Sequence, residues 1–86
     1  MKTIWKFPIP VQDIIYRVMM PEGAEVLHFD VQNDQPTIWA RVDPARSLVP
    51  HTFRLAGTGH LLNNAGRHLG TCFHGPLVWH LFEFAP

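Results

Sequence analysis

Eighty-six residues, 47% of them hydrophobic and 16% charged, suffice for one folded domain and leave no room for a second. Seven Lys and Arg balance seven Asp and Glu, which removes the broad electrostatic field that non-specific nucleic-acid binders and anionic-membrane binders depend on. A lone cysteine, Cys72, excludes an internal disulfide and a cysteine-type zinc site and fits a reducing cytoplasm.

The chain reads as short alternating segments separated by Gly, Pro, Asn and Asp, the pattern of strands and turns. Lys2 to Ile9 forms the first strand, and Pro8 and Pro10, which cannot donate ladder hydrogen bonds, place it on an edge. They also fall where a signal peptide would carry its apolar stretch, and no run reaches the roughly 18 apolar residues of a membrane span, so a soluble, unexported protein is expected. Asp13 to Met20 follows, with Ile14, Tyr16, Val18 and Met20 on one face and a turn at Pro21-Glu22-Gly23.

Ala24 to Gln32 places Leu27, Phe29 and Val31 on one face and Val26, His28 and Asp30 on the other. Asn33-Asp34 turns the chain into Gln35 to Asp43, where Ile38, Ala40 and Val42 point inward and Thr37, Trp39 and Arg41 outward. Residues 24 to 43 thus carry the strongest hairpin signal. Asp43 to Ser47 reads as a loop with room for one 3₁₀ turn, and Pro50 marks the return to extended chain.

His51 to Ala56 is the next strand, ended by Gly57-Thr58-Gly59-His60. A turn-rich connection through Asn63-Asn64-Ala65-Gly66 leads to a short strand, His68 to His74. Gly75-Pro76 introduces the last strand, Leu77 to Phe84, whose two apolar faces assign it a central place or a subunit contact. No window of 11 or more residues has the 3.6-residue apolar period of a helix. The expected fold is all-β: one domain spanning 1–86, a compact antiparallel sandwich or small barrel of six or seven short strands. By surface scaling such a chain buries about 60 to 65% of its unfolded surface, so the core is thin and a homo-oligomer is expected.

Gly57-Thr58-Gly59-His60 is the most suggestive segment, because two glycines around a hydroxyl residue let backbone N–H groups converge on an anion. The competing reading is a tight turn that needs glycine for its backbone. The spacing matches neither a phosphate-binding loop with its lysine nor a dinucleotide fingerprint, since no helix follows. Six histidines, at 28, 51, 60, 68, 74 and 80, lack the close pairing of a zinc site. Of them, His74 and His80 are placed to face one another across Gly75-Pro76. Cys72 sits within a strand as an inert thiol, and the scattered Asp and Glu offer no acid pair. No metal, no cofactor and no catalytic residue is therefore expected. Trp39 and Arg41 project from the outward face of the best hairpin, with Arg54 on a strand placed to neighbour it, a platform for stacking a base and pairing a phosphate or for anchoring a partner chain, with simple packing of Trp39 as the third reading.

The opening Lys2-Thr3-Ile4-Trp5-Lys6-Phe7-Pro8-Ile9, the Pro21-Glu22-Gly23-Ala24 turn, Val31-Gln32 through Ile38-Trp39-Ala40, Phe53-Arg54, Gly57-Thr58-Gly59-His60, Leu69-Gly70-Thr71 and the closing Val78-Trp79-His80-Leu81-Phe82-Glu83 together resemble a family of small, uncharacterised proteins encoded by tailed bacteriophages and prophages. That family is a domain of unknown function, so the resemblance carries over no catalytic residue. It implies an accessory, anti-defence role in the host bacterial cytoplasm. Two forms are open: capture of a phosphorylated or nucleotide-like ligand by Gly57, Thr58, Gly59, His60, Arg54, Arg41, Trp39 and His80, or action as an inhibitor or adaptor docking through aromatic anchors on a host or phage protein, a host defence protein among them.

Overall fold

The alternating segments become seven strands in a computed structural model that describes residues 1–11, 15–63 and 66–84. They are β1 (Thr3–Pro8), β2 (Ile15–Pro21), β3 (Glu25–Gln32), β4 (Gln35–Val42), β5 (Leu48–Gly57), β6 (Arg67–His74) and β7 (Leu77–Glu83). No helix occurs among the described residues, and none is long and apolar enough to cross a membrane. Asp13 and Ile14 of the expected second strand, and Asn64 and Ala65 of the turn-rich connection, lie outside the described residues.

All pairings are antiparallel. One sheet has the order β1-β4-β3 and the other β2-β5-β7-β6. The two form a small sandwich in which β3 packs on β6, so close that a Cβ on Gly70 would lie 3.3 Å from Phe29 Cβ. As the prolines dictate, β1 is an edge strand, and β7, apolar on both faces, runs between β5 and β6.

The core is built from registered pairs. Tyr16 stands opposite Phe53, Ile38 opposite Phe29, Leu55 opposite Leu81, and Cys72 opposite Trp79, and all eight are buried in one cluster. Burying a side chain of the size of Phe53 contributes about 1.5–3 kcal/mol. Ile9 joins this core where the chain crosses between sheets: its N–H donates to Pro36 O at 2.9 Å, and Tyr16 Oη donates to Pro10 O at 2.7 Å.

Two local departures from simple alternation have identifiable causes. The β3–β4 register shifts between Val26 and His28. That bulge turns Leu27 outward, 40% exposed, while Val26 packs against the core, the reverse of their expected faces. β5 begins at Leu48, three residues earlier than the composition suggests, and carries Pro50 within it. Proline is tolerated there because β5 pairs at that point with β2 alone, its pairing with β7 starting only at Phe53.

Between β3 and β4, Asn33 and Asp34 both take positive φ, 51° and 63°, the demand of a two-residue hairpin whose twist matches its strands. The loop after β4 is a turn closed by Arg46 N–H donating to Asp43 O at 3.0 Å, with Ala45 N–H donating to Asp43 Oδ1 at 3.0 Å.

Candidate functional site

Strand alternation sorts the polar groups of the four-stranded sheet. Phe53 and Leu55 of β5 and Trp79 and Leu81 of β7 face the core, so Thr52, Arg54 and Ala56 share the outer face with Val78, His80 and Phe82. Register then places Arg54 beside Phe82 and Phe82 beside His68, and in the next row Ala56 beside His80 and His80 beside Thr71.

On this face four side chains form an unbroken hydrogen-bonded chain. Thr58 Oγ1 lies 2.8 Å from His80 Nε2, His80 Nδ1 lies 2.9 Å from Thr71 Oγ1, and Thr71 Oγ1 lies 3.0 Å from His68 Nε2. The His68 ring meets Phe82 edge-on at 5.2 Å between centroids. Arg54 Nη2 donates to Leu61 O at 3.3 Å, tying the segment after the turn back across the sheet.

The Gly57–His60 segment is a tight turn rather than an open cradle of amides. His60 N–H donates to Gly57 O at 3.1 Å and Thr58 N–H donates to Val78 O at 3.2 Å, so two of the N–H groups expected to face an anion are already engaged. Gly59 holds φ at +90°, which a side chain would strain. Gly57 serves another purpose: a Cβ there would meet His60 Cε1 at 2.9 Å, and its absence lets the imidazole lie against the backbone. The turn thereby walls a cavity of about 320 Å³ with Gly57, Thr58 and His60 on one side and Pro76 to Trp79 on the other. The Trp79 indole N–H is buried and has no acceptor among the described residues.

Of the residues singled out from sequence, Gly57, Thr58, Gly59, His60, His80 and Arg54 gather at one end of the four-stranded sheet. Trp39 and Arg41 do not join them. β4 lies in the other sheet, so Arg54 does not neighbour them as its position in sequence suggested. There Trp39 is half-buried between Lys6 and His28, its ring 5.8 Å from that of His28, and Arg41 is held 3.1 Å from Glu25 Oε1. His74 and His80 do not face one another either. The two-residue Gly75-Pro76 turn pairs His74 with Leu77 and Thr71 with His80, and His74 Nε2 meets Asp34 Oδ1 of the other sheet at 2.9 Å.

Sequence reasoning missed His68, Thr71 and Phe82. Counting outward from Gly75-Pro76 finds Thr71 opposite His80. The step to His68 is hidden by a bulge between His68 and Gly70, which breaks the count.

The electrostatic setting is one-sided. Glu22 meets Arg46 at 2.6 Å, Glu25 meets Arg41, Asp30 meets His28 at 3.4 Å, Asp34 meets His74, Asp43 caps Ala45, and Glu83 meets His51 at 3.5 Å. Each carboxylate among the described residues is thus engaged away from the Thr58–His80–Thr71–His68 chain. Cys72, buried at 2% exposure, has its thiol pushed up to about 11 by burial and then by the Asp30 charge. Among the described residues no group of three or more His, Cys, Asp and Glu is arranged to hold a metal ion.

The family model described as a domain of unknown function, DUF7352, matches residues 1–86, and the chain belongs to that family. No curated protein and no solved structure matches it.

Proposed function

We propose that this member of the DUF7352 family is a non-enzymatic binding protein that captures a small phosphorylated or nucleotide-like ligand beside the Gly57–His60 turn. One observation carries the reading: His80, His68, Thr71, Thr58 and Arg54 stand together on one face, while every described carboxylate is engaged elsewhere. Imidazole, guanidinium and hydroxyl donors are the groups that phosphate oxygens recognise. The adjoining cavity adds His60. Phe82, between Arg54 and His68, offers an aromatic surface to a base. In this arrangement side chains, rather than turn amides, hold the anion.

The resemblance to phage-encoded proteins supports an anti-defence setting, in which an oligomer sequesters a host nucleotide signal in the bacterial cytoplasm. Calorimetric titration with linear and cyclic nucleotides and inorganic phosphate tests the reading. Saturable heat is expected with at least one nucleotide. His80→Ala and Arg54→Ala should each weaken binding by about tenfold, the loss of one charge-assisted contact. Flat titrations across the panel end the proposal.

A second reading, docking on a host or phage protein, is favoured by one feature: Phe73 is 73% exposed and pairs with Val78 one row beyond the His80–Thr71 pair. Aromatic side chains so displayed are typical interface anchors. Under it Phe73→Ser abolishes co-purification of a partner protein while nucleotides give no heat.

A further inference from the structure

The strands that end a sheet are not equally protected. β1 carries Lys6 and closes on Pro8, β3 is bulged and bears Glu25, His28 and Asp30, and β6 is bulged and packs on β3. Bulges, charges and prolines are the devices by which edge strands avoid pairing with other chains. β2, the remaining edge, has the fewest: it runs against β5 from Ile15 to Pro21 without a register shift, and Arg17 is its only charged residue.

The backbone groups on its outer side can be assigned. Glu22 N–H donates to Ser47 O at 2.8 Å, which continues the β2–β5 register one step past Pro21 and Leu48. Backbone groups alternate sides along a strand, so Tyr16, Val18 and Met20 face β5 as Glu22 does, and Ile15, Arg17 and Met19 turn their N–H and C=O groups away from it. Thr52, opposite Arg17, agrees, since its carbonyl accepts from Phe84 N–H on the β7 side. Pro21 stands at an outward position, where its missing N–H costs no ladder bond, and its carbonyl accepts from Ala24 N–H at 3.1 Å. The N–H and C=O groups of Arg17 and Met19 thus have no strand partner among the described residues, and the side chains of Ile15, Arg17 and Met19 on the same strand are exposed.

We infer that β2 pairs with β2 of a second copy of this chain, antiparallel about a two-fold axis at Val18, so that the two four-stranded sheets become one continuous sheet. Full overlap of Ile15–Pro21 centres the pairing on Val18 and sets Arg17 opposite Met19 of the partner subunit. The open N–H and C=O groups of these two residues then bond each other across the axis. A register centred on Arg17 would set two like charges opposite one another, which is destabilising. The chain's net charge of zero sets up no repulsion between copies. The two-fold keeps both outer faces, each with its Thr58–His80–Thr71–His68 chain, on one side of the joined sheet. The pairing needs no ligand and stands whether or not a nucleotide is captured.

Sedimentation equilibrium and amide hydrogen exchange of the full chain, without ligand, test it. At about 1 mM the mass is expected to be twice the chain's 9.9 kDa, with the Arg17 and Met19 amides protected. Met19→Lys sets a lysine opposite each Arg17 and should weaken the dimer by about tenfold, and Met19→Glu, which pairs with Arg17, should bind at least about fivefold more tightly than Met19→Lys. In monomeric Met19→Lys the Arg17 and residue-19 amides should exchange about tenfold or more faster than in the wild-type dimer, while those of Tyr16, Val18 and Met20 stay protected by β5. Met19 is 51% exposed, so both variants should fold, which urea unfolding checks. A single chain's mass at about 1 mM, the result expected if β2 awaits a strand of another protein, overturns the inference. So does a dimer that leaves the wild-type Arg17 and Met19 amides unprotected, or one that lysine and glutamate at position 19 weaken equally. The wild-type measurements decide the matter even if a variant fails to fold.

Discussion

A hydroxyl has one proton, and Thr71 Oγ1 sits between two imidazole nitrogens, His68 Nε2 at 3.0 Å and His80 Nδ1 at 2.9 Å. Whichever ring it donates to, the other must donate to it, so the tautomers of His68 and His80 are coupled, and Thr58 at the far end follows. Protonating one ring therefore reorients the whole chain. In ¹⁵N magnetic resonance of the histidine rings, His80→Ala is expected to displace the His68 tautomer balance. In a Thr71→Val background the same change should leave it unmoved; an equal displacement there would show that the hydroxyl carries no coupling.

Cys72 gives a second residue-scale expectation. Its folded-state pKa of about 11 lies above the ordinary thiol value, so the thiol stays protonated at neutral pH and is a poor nucleophile. Native protein at about pH 8 should resist thiol reagents until denaturant is added. The burial that raises this pKa also stabilises the fold, fully below the ordinary thiol value of about 8.5 and progressively less as pH rises through about 11. Rapid labelling of the native chain would contradict the buried position.

At the scale of elements, the bulge in β3 makes the sharpest claim. Simple alternation groups Leu27 with Phe29 as core, yet the register shift leaves Leu27 40% exposed and Phe29 4% exposed. Leu27→Lys should change stability by no more than about 0.5 kcal/mol, the range for surface positions. Phe29→Ala should cost about 3–5 kcal/mol, because it opens a cavity against β6 and the seam between the sheets. Urea unfolding of the two variants checks both figures, and comparable losses would remove the bulge.

For the molecule as a whole, thinness is the governing fact, with Cα extents of 39 × 29 × 16 Å. A body this flat leaves large apolar side chains outside: Ile15, Met19 and Leu48 flank the β2–β5 pair, and Phe73 and Leu77 flank the β6–β7 turn, each at least 47% exposed. Such surface favours self-association, and the proposed oligomer is expected to give a solution mass that is a multiple of the chain's 9.9 kDa. Light scattering that returns one chain's mass at high protein concentration would withdraw it.

What the sequence by itself determined was local. Alternation of period two gave the strands, prolines sent β1 to an edge, two apolar faces sent β7 to the centre, and Asn33-Asp34 marked a turn because few residues tolerate its backbone, while Gly57–His60 stayed open between a tight turn and an anion cradle. Which strands share a sheet was decided by tertiary structure alone, since that choice depends on how apolar faces far apart in sequence cover one another. It separated Trp39 and Arg41 from Arg54 and joined Thr58, His80, Thr71 and His68 into one chain. It also brought Glu83 to His51, a meeting of β7 with β5 that no spacing along the chain encodes.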